Sequence, residues 1–240
     1  MRVFASRAAA FALIACAGCA GIRMRIDAPR LKKIETIAPV TFVGNRFVRS
    51  PASGGELPNE PTDATSEMIF ESGIPAFLAA ASGAERFKFA PAAQVLASKS
   101  YAAFPTTLGG TNANGAQLAP GWRYVTPEDG AKIGNLLEEI DADAALITYW
   151  RFSLDSAIRG EVGAISTATT RAHVRVWLVD RDGKVVADDE LDAPSDDAIG
   201  LHNGHYDARS TTPLFDDAIT TCAIRMIADF SNARSKARGE

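Results

Sequence analysis

An α/β fold is predicted for this 240-residue chain: a mixed sheet ending in an antiparallel meander, with helices packed on it as a two- to three-layer sandwich. Three observations predict it. Segments alternating apolar and polar residues, the mark of half-buried strands, fall at 146–154 and 173–179, with a return strand at 184–188. Segments with the 3.6-residue helical period fall at 126–140 and 212–230. The resulting order, β-α-β-α-β-β-β-α, puts helices between the early strands and hairpin connections at the end.

Residues 34–43 are rich in β-branched and apolar side chains and form the first strand, where Pro39 demands an edge or a bulge. Residues 44–61 hold Pro51, Gly54, Gly55, Pro58 and Pro61 and read as loop. Thr62 and Asp63 can cap a helix through Ser72 whose apolar side is Met68, Ile69 and Phe70, with a break or kink expected at Gly73-Ile74-Pro75. A short strand at 87–89 and a short helix at 92–98 follow, then an irregular stretch over 101–124 centred on the Gly/Asn-rich residues 109–115. Thr126-Pro127-Glu128-Asp129 supplies an N-cap, Pro at the first helical position and an acid at the third. Ile133, Leu136, Leu137 and Ile140 continue that helix.

In the strand that follows, Leu146, Trp150, Phe152 and Leu154 share one face, and Ile147, Tyr149, Arg151 and Ser153 the other. Val174, Val176 and Leu178 alternate with His173, Arg175 and Trp177 in the next, and Asp180-Arg181-Asp182-Gly183 turns the chain into its hairpin partner. Thr212-Pro213 opens a last helix whose stripe of Leu214, Ile219, Cys222, Ala223, Met226, Ile227 and Phe230 buries Cys222.

The amino end bears on location. Arg2 and Arg7 precede a short apolar run, 8–15, that is too short to span a bilayer and has the order of an export signal. Leu13-Ile14-Ala15-Cys16-Ala17-Gly18-Cys19 resembles the cleavage box of a bacterial lipoprotein, with Cys19 the acylated residue and Cys16 the alternative. The C-x-x-C spacing lies inside the signal and has no redox context. Residues 1–18 are then a signal peptide, 19–33 a tether, 34–230 one α/β domain and 231–240 a flexible tail. Neither cysteine is followed by Asp, which favours the outer membrane, periplasmic face. Loss of Arg2 and Arg7 takes the formal charge from −4 to −6, and no basic stripe with interleaved aromatics suggests nucleic acid.

Ala142-Asp143-Ala144-Ala145-Leu146-Ile147, followed by the Val174–Val186 run V-R-V-W-L-V-D-R-D-G-K-V-V, resembles a superfamily of envelope lipoproteins. That superfamily includes the curli-secretion lipoprotein, the penicillin-binding-protein activator lipoproteins and related periplasmic lipoproteins. Ile37-Ala38-Pro39-Val40 is similar to their opening strand. The resemblance covers roughly 34–230 and implies a scaffold, a partner-binding module or a ring subunit, with no catalytic residues to transfer. Residues 161–169 lack the large outward apolar side chains of a membrane-barrel strand, a departure from pore-forming members.

Chemistry candidates are few. His202, His205 and Asp207, near Asp188, Asp189, Glu190, Asp192, Asp196 and Asp197, include ligand types for a divalent metal but lack any metal-motif spacing, and a solvated acidic loop is the expectation. The 109–115 loop lacks the ending of a phosphate-binding loop. Tyr101, Phe104, Trp122 and Tyr124 could anchor a protein or glycan partner, although core packing explains them equally well. No nucleophile elbow occurs, Glu138 and Glu139 read as solvent-exposed, and His173 as a packed or edge residue. The expectation is a non-catalytic outer-membrane lipoprotein that needs no cofactor and acts as a partner-binding or scaffold module in envelope assembly or surface export. A homo-oligomeric ring subunit of a secretion apparatus and a metal-dependent periplasmic hydrolase are the alternatives.

Overall fold

The computed structural model describes residues 24–48, 65–109, 115–157, 167–200 and 208–239. Its elements are β1 (Arg25–Ile26), α1 (Ala28–Leu31), β2 (Thr36–Asn45), α2 (Ser66–Gly83), β3 (Lys88–Phe89), α3 (Ala92–Ala97), α4 (Lys99–Ala102), β4 (Ala116–Leu118), α5 (Gly130–Glu139), β5 (Ala144–Ala157), β6 (Thr167–Asp180), β7 (Val185–Gly200) and α6 (Ala208–Arg238). The described strands form one mixed sheet in the order β1-β7-β6-β5-β2-β3, with β4 also on β2. β2 is parallel to β5 and β3, whereas β5, β6 and β7 form an antiparallel meander. The α/β class and the closing meander are as the sequence predicts.

Alternation decides what the meander buries. Trp150 and Phe152 on β5 meet Phe77, Phe70 and Phe215 from α2 and α6, with ring centroids 5.5–5.6 Å apart. Phe42 of β2 joins them edge-on to Phe77 at 5.8 Å. On α6, Phe215, Ala218, Ile219, Cys222, Met226, Ile227 and Phe230 are all buried. Each large side chain so buried contributes roughly 1.5–3 kcal/mol, so this layer dominates the stability. Burial also pushes the Cys222 thiol up to about 12, which leaves it an inert core residue.

Pro39 sits where β2 slips register: it pairs with Leu146, the next paired residue is Thr41, and Val40 is skipped. This is the expected bulge, and the Val40 carbonyl accepts the Tyr101 hydroxyl at 2.7 Å. α2 departs from expectation by running unbroken through Pro75 from its cap at Thr65, whose side chain accepts from the Met68 N–H. Pro75 is exposed, while Ile69, Phe70, Gly73, Ile74 and Phe77 are buried, so packing on both sides of the proline outweighs the lost helical bond.

Three further expectations are corrected. The segment assigned to a tether is part of the folded body from residue 25: β1 pairs with β7 at Asp188 and Ala187, and Leu31 is fully buried. Ile26 and Leu31 are apolar enough to dock, and Arg30 secures them on Asp180 (2.5 Å) and Asp182 (3.0 Å). The last helix starts at Ala208 rather than at Thr212, with Pro213 inside it. The tail is helical to Arg238, because Arg234 donates to the Ile34 and Arg86 carbonyls (2.9 and 2.6 Å) and stacks 4.2 Å over Phe87.

α5 begins behind a capping box in which Thr126 N–H donates to the Asp129 carboxylate at 3.0 Å. It packs where the β6–β7 turn comes round. Gly183 there has φ +71° and a Cβ would lie 2.8 Å from the Gly130 backbone. Gly183→Ala therefore meets both a left-handed backbone and a clash. A loss of about 2–3 kcal/mol in denaturant unfolding is expected, and an unchanged midpoint would show that this turn is not packed as described.

Candidate functional site: an aromatic cleft on the second face of the sheet

The residues of β5 and β6 that point away from α2 and α6 build the site. Tyr149 on β5 and Trp177 on β6 lie edge to face, with centroids 5.1 Å apart. Tyr124, from the segment entering α5, stacks on Tyr149 at 6.2 Å and 26°. Arg175 lies 4.6 Å over the Trp177 ring and is held by both oxygens of Asp188 on β7 (3.1 and 3.0 Å), with Glu190 at 3.7 Å. The guanidinium is thus fixed in place before any ligand arrives.

Met24 to Asp27 form one wall of the resulting cleft and Thr126 to Glu128 another. The cleft encloses ≈ 1070 Å³ and is open to solvent. Burial, then the neighbouring Tyr124 hydroxyl, holds the Tyr149 phenol above its ordinary range, so it stays neutral. Its hydroxyl faces the Val125 carbonyl at 3.4 Å. Aromatic walls with a fixed arginine suit recognition of a planar, apolar or sugar-like surface.

Along the same face, away from the aromatics, charge replaces ring surface. Arg171 reaches Asp155 (2.5 Å) and Asp192, and His173 stands in register between Arg151 and Asp192. Residues 188–197, expected as a solvated acidic loop, are therefore a strand. Asp188, Glu190 and Asp192 face outward to arginines, which explains their acidity without a metal. His202, His205 and Asp207 lie outside the described residues. Among the described residues, no group of three or more His, Cys, Asp or Glu is gathered as metal ligands would be.

Of the four aromatic anchors proposed from sequence, the structure brings only Tyr124 to the cleft. Tyr101 and Phe104 are each 1% exposed. The Tyr101 hydroxyl, donating to Val40 and accepting the Arg123 N–H (2.8 Å), ties the 101–124 segment onto β2. Trp122 is 8% exposed and packs edge-on against Phe42 at 4.6 Å. These three are core residues because α4 and β4 order much of a stretch read as loop. Residues 110–114 of the Gly/Asn-rich loop lie outside the described residues. Glu139, expected to be merely solvated, accepts the Lys99 and Ser100 N–H groups (2.9 and 2.8 Å). The Ser100 hydroxyl, then these N–H groups and the Ser98 hydroxyl, lower its carboxyl to about 2.

Tyr149, Arg175 and Trp177 were missed as site residues. Their signal was present: two aromatics and an arginine on the polar side of adjacent hairpin strands.

No family model matches the chain, and neither does any curated protein. Among solved structures, the chain is similar to lipoprotein GNA1162 of Neisseria meningitidis (17% identity, TM-score 0.34, covering 81% of this chain and 99% of that one). A neuraminyllactose-binding haemagglutinin homologue from Helicobacter pylori matches at 8% identity and TM-score 0.40, over 85% of this chain and 87% of that one. Protein CT253 of Chlamydia trachomatis matches at 11% and 0.35, over 86% and 99%.

Beneath β7, on the helix side, Asp189 is buried with its second carboxylate oxygen lacking a hydrogen-bond partner. Burial, then repulsion from Asp229 on α6, raises its carboxyl from 3.8 to about 6. Because the folded value lies above the unfolded one, this group destabilises the fold above pH 6, and that cost is relieved as pH falls from 6 towards 4. Asp189→Asn is expected to raise stability at pH 7.5 by about 1–3 kcal/mol and to remove that part of the pH dependence. Thermal melts at pH 5 and 7.5 check it, and equal destabilisation at both would contradict it.

Proposed function

We propose that this protein is a non-catalytic lipoprotein, acylated at Cys19, that sits on the periplasmic face of the outer membrane. There it acts as a partner-binding scaffold in envelope assembly or surface export. The observation that carries this reading is the Tyr124–Tyr149–Trp177 cleft with its immobilised Arg175, walled by the first described residues of the chain. Trp, Tyr and Arg are the side chains that most often anchor protein partners.

Only five residues lie between Cys19 and Arg25, so a lipidated Cys19 holds β1 within about 20 Å of the bilayer. No helix among the described residues is long and apolar enough to cross a membrane.

Two experiments test the proposal. Cys19→Ala should move the protein from the outer-membrane fraction to a soluble or inner-membrane one, and continued outer-membrane fractionation would point to Cys16. A photoreactive side chain at Glu128, on the rim of the cleft, should give a discrete adduct in intact envelopes. Trp177→Ala should weaken that adduct by at least about tenfold. An adduct indifferent to Trp177 would remove the cleft as the binding site.

A further inference from the structure

One end of the molecule carries a concentration of unpaired cations that the cleft does not use. The starts of β2, β3, β5 and β7 and the finish of β6 lie together at this end. α1 and the last turns of α6 join them, as Arg234 and Arg238 reach the carbonyls of Ile34, Arg86 and Lys32. Lys32, Lys33, Arg86, Lys88, Lys236 and Arg238 are all exposed here, and none makes an ion pair among the described residues.

Most acids at the same end are engaged. Asp180 and Asp182 bind Arg30, and Asp141 and Asp143 bind Arg181. Asp27 caps α1. Among the described residues, Glu35, Glu85 and Glu138 are the exposed acids without an ion pair or cap left to oppose the six cations. The whole chain carries a formal charge of −4, so this positive end is a local arrangement and not a reflection of composition.

The chain reaches this end soon after it enters the folded body, because β1 runs antiparallel along the first residues of β7 and leads into α1. We infer that this basic end docks on an anionic phospholipid surface, so that the body lies against the bilayer in one fixed orientation rather than swinging on its anchor. The orientation rests on the lipid-anchored reading above, but the affinity of this surface for anionic lipid does not. Two arguments choose a bilayer as the occupant. The cations are compact lysines and arginines spread over several elements rather than gathered round a cavity, which suits a diffuse negative plane. The five residues between Cys19 and β1 hold that plane within about 20 Å, and contact through the basic end brings its cations inside the screening length of about 8 Å in physiological salt.

The test uses the chain from Ala20, which keeps every element and core residue described above and carries no lipid. It is sedimented with vesicles of phosphatidylglycerol and phosphatidylcholine, and with phosphatidylcholine alone. Binding is expected to the mixed vesicles only and to be lost in about 0.5 M NaCl. The variant K32E/K33E/K88E/K236E should bind at least about tenfold more weakly with an unaltered melting temperature. Should that variant not fold, K88E/K236E with the salt series takes its place. Absence of binding to the anionic vesicles, equal binding to neutral ones, or full binding by the charge-reversed variant would each overturn the inference. None of these results bears on whether Cys19 is acylated, which is read separately by fractionation.

Discussion

The structure depends on one constraint: β5, β6 and β7 are 14, 14 and 16 residues long and carry a largely apolar row on a single face, interrupted by Thr148, Thr170, Asp189 and Ser195. That row must be covered. α2 and α6 cover it through Phe70, Phe77, Phe215 and the Cys222 stripe, and the edge-to-face contacts with Trp150 and Phe152 fix how the two helices lie. With stability concentrated on this side, the second face is free to carry surface chemistry. Its ion pairs, such as Arg175–Asp188 and Arg171–Asp155, are half-exposed and of the kind that contributes about 0–1 kcal/mol each. They order side chains more than they hold the fold.

Division of labour between the two faces explains why the cleft sits where it does. α5 covers only the starting end of β5 and the finishing end of β6, and the chain leading into it lays Tyr124 on Tyr149. β1 closes the far side by pairing with β7. The cleft is the space between these two additions, floored by Tyr149, Arg175 and Trp177. The N-terminal segment thereby serves both as an edge strand that ends the sheet and as a wall of the candidate binding site.

Much of this was legible in the chain because local pattern and global packing agree there. Alternation in 146–154 and 173–179, the Thr126–Asp129 cap, the bulge at Pro39 and the buried Cys222 stripe all followed from rules of spacing and conformation. What was not legible depended on distant partners. Ile26 and Leu31 are two apolar residues in a polar stretch, and only the β7 edge and α6 give them a place to dock. Arg234 looks like part of a charged tail until the Ile34 and Arg86 carbonyls come within reach. Pro75 signals a break, yet its flanking residues bury enough surface to carry the helix through. Tyr101, Phe104 and Trp122 read equally as partner anchors or as core in a stretch rich in Gly, Asn and Pro, and the contacts of Tyr101 with Val40 and of Trp122 with Phe42 on β2 make them core. The true cleft residues lay in plain alternation, but alternation alone does not say which polar face stays uncovered.

The proposed anchor at Cys19 would hold the cleft and the basic end within one short tether of a bilayer, so location turns on how the amino end is finished. Mass spectrometry of the mature protein's N-terminal peptide tests this most directly. A peptide that begins at Cys19 and carries diacylglycerol on its thiol and a fatty acyl group on its amine is the expected result. A peptide that begins elsewhere, or a cysteine bearing no acyl chain, would contradict it.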